Sequence, residues 1–210
     1  MKSIFADIFD LGLSRSSFFN FDSEARKNGE AIYEKIRGAV QGFSDVNIDE
    51  TGWSVNGEGF WLWVMVNSNL ALYTINESRG SKVLEDILGR EYKGIVSSNF
   101  YAAYNPIKAL AKQRLLAHLL REIKKVEERN RFRKGGSDWK FLKWLKGAIR
   151  VWYECRERKR AISDLKDKKE QVLKRMVKIL ALTVEAKDSL RLQKRIIKHY
   201  DELFTFFNYP

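Results

Sequence analysis

The chain has 210 residues, of which 44% are hydrophobic and six are tryptophan, enough apolar surface for one sizeable core or a core with an appendage, and this excludes a disordered chain. Cys155 is the single cysteine, so an internal disulfide and a cysteine-based zinc site are excluded, and His118 and His199 are too few to replace one. The net charge of +12 is uneven: residues 106–200 carry 29 Lys and Arg against 11 Asp and Glu, a balance of +18, and the remainder carries 10 against 16, a balance of −6.

Such a basic region fits a polyanion partner, because Lys and Arg that neutralise phosphates release counterions and bind without regard to sequence; solvated helix faces would leave the same charge pattern. No window approaches the roughly 18 uninterrupted apolar residues of a membrane span, and MKSIFADIFDLGLSRSS lacks the compact apolar core and cleavage site of a signal peptide. The expectation is a cytoplasmic chain with no membrane partner.

Residues 1–43 read as helical. ARKNGEAIYEKIRGAV sets Ala31, Ile32, Ile36 and Val40 at helical spacing, and Gly42 can end the run. Next, VNID, GFWLWVMV and LALYTI are rich in β-branched and aromatic residues. Turn signals at Asn56-Gly57-Glu58-Gly59 and Asn67-Ser68-Asn69 divide them, so three strands joined by two tight hairpins are predicted. Ser78-Arg79-Gly80 makes a turn, SKVLEDILG a short helix closed by Gly89, and GIVSS a fourth strand running into Asn99.

From Ala109 the pattern is helical nearly to the end. Phe141, Leu145, Ala148, Trp152 and Cys155 trace one face, and Ile162, Leu165, Val172, Met176 and Ile179 or Leu180 another. A third run carries Leu190, Ile196, Ile197, Tyr200, Leu203, Phe204 and Phe207, and RFRKGGSD at 131–138 is the one flexible link.

Three hairpin-linked strands, a helix, a fourth strand and then helices is the order of a ribonuclease-H-like α/β mixed sheet, here with a large α-helical insertion. The expected divisions are an N-terminal helical segment 1–43, a partial catalytic core 44–130, and an insertion 131–210. That architecture sets one carboxylate on the first strand and another just after the fourth. Two divalent ions about 3.5–4 Å apart can then activate the attacking oxygen and stabilise the leaving one in phosphodiester chemistry. Asp49, in IDETGW, suits the first position, with turn capping as the plainer role. The second position holds Asn99, which also suits the cap of a helix starting at Phe100. Glu50 falls on the opposite strand face and reads as structural.

IDETGWSVNGEGFWLWV at 48–64, the SRG turn at 78–80, GIVSSNFYAAYN at 94–105 and KQRLLAHLLREIKK at 112–125 resemble the DDE transposases of the insertion-sequence 66 type. The resemblance spans nearly the whole chain. It implies metal-dependent cleavage and joining of double-stranded DNA, at transposon ends and target, with Mg²⁺ or Mn²⁺, and a homo-oligomer is compatible with it.

Asp49 then stands as a catalytic metal ligand and Asn99 at the place of the second carboxylate. Arg114, Arg121, Lys124 and Lys125 are the expected DNA-binding residues. Where the family pattern has Ser-Asp this chain has Ser98-Asn99, and the family's third carboxylate lies in an Asn-rich block beyond a Tyr-Pro like Tyr209-Pro210. The expectation is therefore a truncated or degenerate core that binds DNA with impaired catalysis. The alternatives are an active metal-dependent nuclease in which Glu50, Asp86 or Glu91 supplies a ligand, and a non-enzymatic helical interaction protein.

Overall fold

The computed structural model describes residues 2–157 and 162–209. Helices α1 (Lys2–Phe9) and α2 (Arg15–Val40) lead into strands β1 (Asp45–Val55), β2 (Glu58–Val66) and β3 (Ala71–Asn76). Helix α3 (Ser81–Leu88), strand β4 (Glu91–Ser98), a 3₁₀ turn at Ala102–Tyr104 and strand β5 (Lys108–Arg114) complete the sheet region. Helices α4 (Leu116–Asn130), α5 (Ser137–Glu157), α6 (Ile162–Leu180) and α7 (Lys187–Lys198) follow, and 3₁₀ turns at Tyr200–Glu202 and Thr205–Phe207 close the described chain.

The mixed sheet has the order β3-β2-β1-β4-β5, antiparallel across β3, β2 and β1 and parallel across β1, β4 and β5. Asn56 and Gly57 both take positive φ, +52° and +88°, as a two-residue hairpin turn requires, and this sets Val55 opposite Glu58. At the next hairpin the Asn67 side chain accepts from the backbone N–H of Asn69 and Leu70.

Side chains alternate along β1, so Val46 and Ile48 are buried while Asp45, Asn47 and Asp49 are exposed. The buried face, with Trp63, Met65, Leu72 and Val96, packs with Val40 of α2 and with Val83, Leu84, Ile87 and Leu88 of α3. On α2 it is Tyr33, Ile36 and Val40 that join this core; Ile32, expected on the same face, is exposed, as are Phe19 and Phe21 further from the sheet.

Two sequence expectations change here. Strand β1 does not stop at Asp49, the end of VNID, but continues to Val55, because the long β2 supplies partners as far as Glu58. The segment from Lys108 to Arg114, expected to be largely helical, is strand β5, paired in parallel with β4. KALAKQR consists of good helix formers, and the ladder with β4 outweighs that weak preference.

A second apolar cluster gathers the helices. Leu119 and Ile123 of α4, Phe141, Leu145 and Ile149 of α5, Val172, Met176 and Ile179 of α6, and Leu192 and Ile196 of α7 meet there, together with Leu203, Phe204 and Phe207. Ile197 departs from its expected face and is exposed. The side chains of Trp152, Cys155, Ile162 and Leu165 lie outside the described set. Among the described residues, no helix is long and apolar enough to cross a membrane.

Candidate functional site

Strand β1 pairs with β4 only as far as Ile48 opposite Ser98, and there β4 ends while β1 runs on. Asp49 and Asn99 are the next residues on each side, so the parting of two parallel strands brings together positions fifty residues apart in sequence. The Asn99 amide Nδ2 donates to Asp49 Oδ1 at 3.1 Å and approaches Glu50 Oε2 at 3.5 Å. The Asn99 oxygen accepts from the Tyr101 N–H at 2.7 Å. That bond fixes which way the amide points: the donor group faces the carboxylates. Asn99 thus caps the bend before the 3₁₀ turn at Ala102–Tyr104, not an α-helix starting at Phe100.

Glu50 lies on the other face of β1, as strand alternation requires, and its side chain is 1% exposed. Its Oε1 accepts from Arg79 Nη2 at 2.7 Å and from Nε at 3.3 Å, and its Oε2 accepts from the Tyr104 hydroxyl. The Arg79 guanidinium is sandwiched between two rings, 4.2 Å from the Trp61 centroid and 4.0 Å from that of Tyr101. Burial pushes the Tyr104 hydroxyl well above the usual tyrosine range, and the neighbouring Glu50 adds to the shift, so Tyr104 stays a neutral donor. Both Glu50 oxygens are engaged and Glu50 is not free to replace a missing ligand.

The other alternative ligands lie elsewhere. Glu91 opens β4 and is paired with Lys93, so it stands at the far end of the strand from Asn99, roughly 25 Å away at about 3.3 Å per residue. Asp86 is exposed on α3.

Arg114 is not on a helix face. It ends β5 with a side chain 1% exposed, and its donors reach Glu202 at 2.5 Å, the Asn99 carbonyl at 2.7 Å, Asn105 Oδ1 at 2.8 Å and Ser98 Oγ at 3.3 Å. A guanidinium so enclosed holds the bend after β4 to the C-terminal segment and does not present itself to a phosphate. Beside it, Gln113 donates to the Leu203 carbonyl and accepts from the Phe206 N–H, and Thr205 donates to the Lys112 carbonyl. These bonds cover the outer edge of β5. His199, 7% exposed, shares Glu202 with Arg114 through its Nδ1 at 2.9 Å.

Arg121, Lys124 and Lys125 are exposed on α4, as a surface role needs, and Lys124 lies 3.9 Å from Glu128. Trp63 is core, Trp61 carries Arg79, and Trp53 is half exposed.

Sequence reasoning missed Arg79, Tyr104 and Glu202 as members of this neighbourhood. Arg79 and Tyr104 sit inside the motifs SRG and FYAAYN, which were the available signal; Glu202 carried none. Among the described residues no group of three or more His, Cys, Asp and Glu is placed to hold a metal ion. The side chains present do not fit a two-metal centre: Asp49 is a single carboxylate that already accepts from Asn99, Glu50 is paired with Arg79, and Asn99 offers an amide donor where a ligand oxygen would be needed. Turning the amide over would forfeit the bond from Tyr101 N–H. A comparison with curated proteins gives no match. Among protein-family models, the one described as "Transposase IS66 family" matches residues 1–210.

Proposed function

Since the chain belongs to the IS66 family of transposases, we propose that it is a ribonuclease-H-like transposase core that engages duplex DNA and has lost efficient strand cleavage. The observation that carries this reading is the 3.1 Å contact from Asn99 to Asp49 where β1 and β4 part. In phosphodiester chemistry that position calls for a second carboxylate, since two divalent ions need several anionic oxygens to offset their charge, and Mg²⁺ gives up its water only for hard, charged ligands. Here the second group is a neutral amide. The strand order, three antiparallel strands followed by two parallel ones, supports the ribonuclease-H-like assignment. Asp49 is the carboxylate left at the site, Arg79 and Tyr104 hold the Glu50 side chain beside it, and Arg114 holds the Asn99 carbonyl.

The test is strand cleavage of a transposon-end duplex in Mg²⁺ and in Mn²⁺, by this chain and by Asn99→Asp. Each 1.36 kcal/mol of lost transition-state stabilisation is a tenfold loss in rate, so the absence of one charge-stabilising group worth several kcal/mol predicts turnover at least about a hundredfold below an intact site. Asn99→Asp should raise Asp49-dependent cleavage above that of the parent. Rapid, Asp49-dependent cleavage by the unaltered chain would show that the reading of Asn99 is wrong.

A further inference from the structure

Helices α4 and α7 enclose a cleft of about 410 Å³ whose lining is strongly basic. From α4 come Arg121, Lys125 and Arg129, each four residues after the last, which puts all three on one stripe of the helix over about 12 Å of its length. From α7 come Arg191 and Arg195, some sixty residues later in the chain. The fold therefore concentrates charge that the sequence scatters.

The cleft's two carboxylates are already engaged. Glu122 is held by Arg195, and Asp188 accepts from Asn130 at 3.3 Å and lies 3.9 Å from Arg191. Among the described residues, Arg121, Lys125 and Arg129 have no ion-pair partner, and all three are exposed. One end of the cleft abuts the candidate site. The Arg195 guanidinium lies 5.8 Å from the Phe100 ring, Phe100 directly follows Asn99, and the same ring meets His199 edge-on at 5.7 Å.

We propose that the α4–α7 cleft seats the sugar–phosphate backbone of duplex DNA on its way to the Asp49–Asn99 position, an inference that rests on the DNA reading above. Each strand of a duplex presents one charge per about 3.4 Å of axis, so the roughly 12 Å α4 stripe runs past about three or four phosphates of one strand, about one for each of Arg121, Lys125 and Arg129. Such contacts position the duplex and carry no base information.

The experiment is fluorescence anisotropy with the full chain and a labelled mixed-sequence duplex, titrated with salt. The variants are Arg121→Gln/Lys125→Gln/Arg129→Gln, Arg191→Gln alone, and a charge-matched control, Lys27→Gln/Lys35→Gln/Lys82→Gln, on exposed positions of α2 and α3. The cleft triple should lower affinity at least about tenfold and flatten the slope of log K against log salt by about 2.7, at about 0.9 for each phosphate no longer neutralised. Arg191→Gln should flatten it by about 0.9, and the control should change affinity less than about twofold. Because the substituted side chains are exposed, the circular dichroism spectrum and melting curve should match the parent's. Salt-dependent binding by the parent with an unchanged slope in the cleft triple overturns the cleft and leaves the DNA reading standing. Absence of salt-dependent binding by the parent overturns both.

Discussion

Glu50 shows how a single buried charge can dictate its surroundings. A carboxylate at 1% exposure is tolerable only when paired and hydrogen-bonded, and Arg79, Tyr104 and Asn99 supply the partners. Arg79→Ala would leave that charge without its cation. Breaking a fully buried pair costs about 3–5 kcal/mol, and because Arg79 is itself 38% exposed the expected loss is near 3 kcal/mol or somewhat below, measured by urea denaturation. Adding Glu50→Gln to Arg79→Ala should recover part of it, since the stranded charge is then gone. A further loss in the double variant would refute the account.

His199 and Glu202 give a pH prediction at the same scale. Burial holds His199 below the ordinary histidine range against the opposing pull of Glu202. Burial also pushes Glu202 up, but the hydrogen bonds and charges of Arg114 and His199 outweigh it and leave the carboxyl below its usual range. With both values depressed on folding, the unfolded chain binds more protons and stability rises with pH. The His199 share is present above its unfolded value of about 6.5 and is lost as pH falls through the folded one; the Glu202 share is lost in the same way from about 4.3 downward. The melting temperature should therefore decline on acidification from about pH 7.5, and His199→Gln should flatten the upper part of the decline.

Among the elements, β4 pairs on both sides and ends where the site begins. Its ladder with β5 shifts register between Tyr92 and Ile95, and Gly94 lies at that irregularity. A Cβ at Gly94 would collide with the Phe43 carbonyl oxygen, and would lie 2.7 Å from the Tyr92 ring and 2.8 Å from the Ser44 carbonyl oxygen. Two of these neighbours are backbone and cannot swing away. Tyr92 also donates to Phe43 O at 2.9 Å, and burial together with Asp45 pushes its hydroxyl up to about 12. Gly94→Ala should thus destabilise by about 3 kcal/mol, the upper end of ordinary overpacking, with a matching fall in the urea midpoint. A change under about 1 kcal/mol would mean that the entry into β1 yields more readily than its contacts allow.

For the whole molecule the governing quantity is the separation of charge, +18 over residues 106–200 and −6 elsewhere. The acidic remainder includes strands β1 to β4 and α3, and the basic part is β5 with the helices that follow it, so a polyanion is attracted to that part of the chain. If six to ten phosphates are contacted, affinity for duplex DNA should fall by roughly 10³ to 10⁵ between 50 and 200 mM salt. A flat response would refute DNA binding through this half.

Local rules determined much by themselves. The β-branched and aromatic residues of VNID, GFWLWVMV and LALYTI, Asn-Gly at the hairpin and helical spacing in the later runs are short-range signals, and strands β1 to β4, both hairpins and most helix faces follow from them. The pairing of Asp49 with position 99 was legible only through the motifs that flank each, because nothing in residues 46–53 refers to residue 99. Strand β5 was hidden, since KALAKQR has helical propensity and becomes a strand only when β4 offers a ladder. Arg114 was misread for the same reason: a basic side chain looks like surface until tertiary packing encloses it with Glu202, eighty-eight residues away. The direction of the Asn99 amide and the two-helix basic cleft likewise exist only once distant segments meet. Sequence decides what each residue can donate, accept or bury; the three-dimensional packing decides which of those capacities are used against one another and which remain facing the solvent.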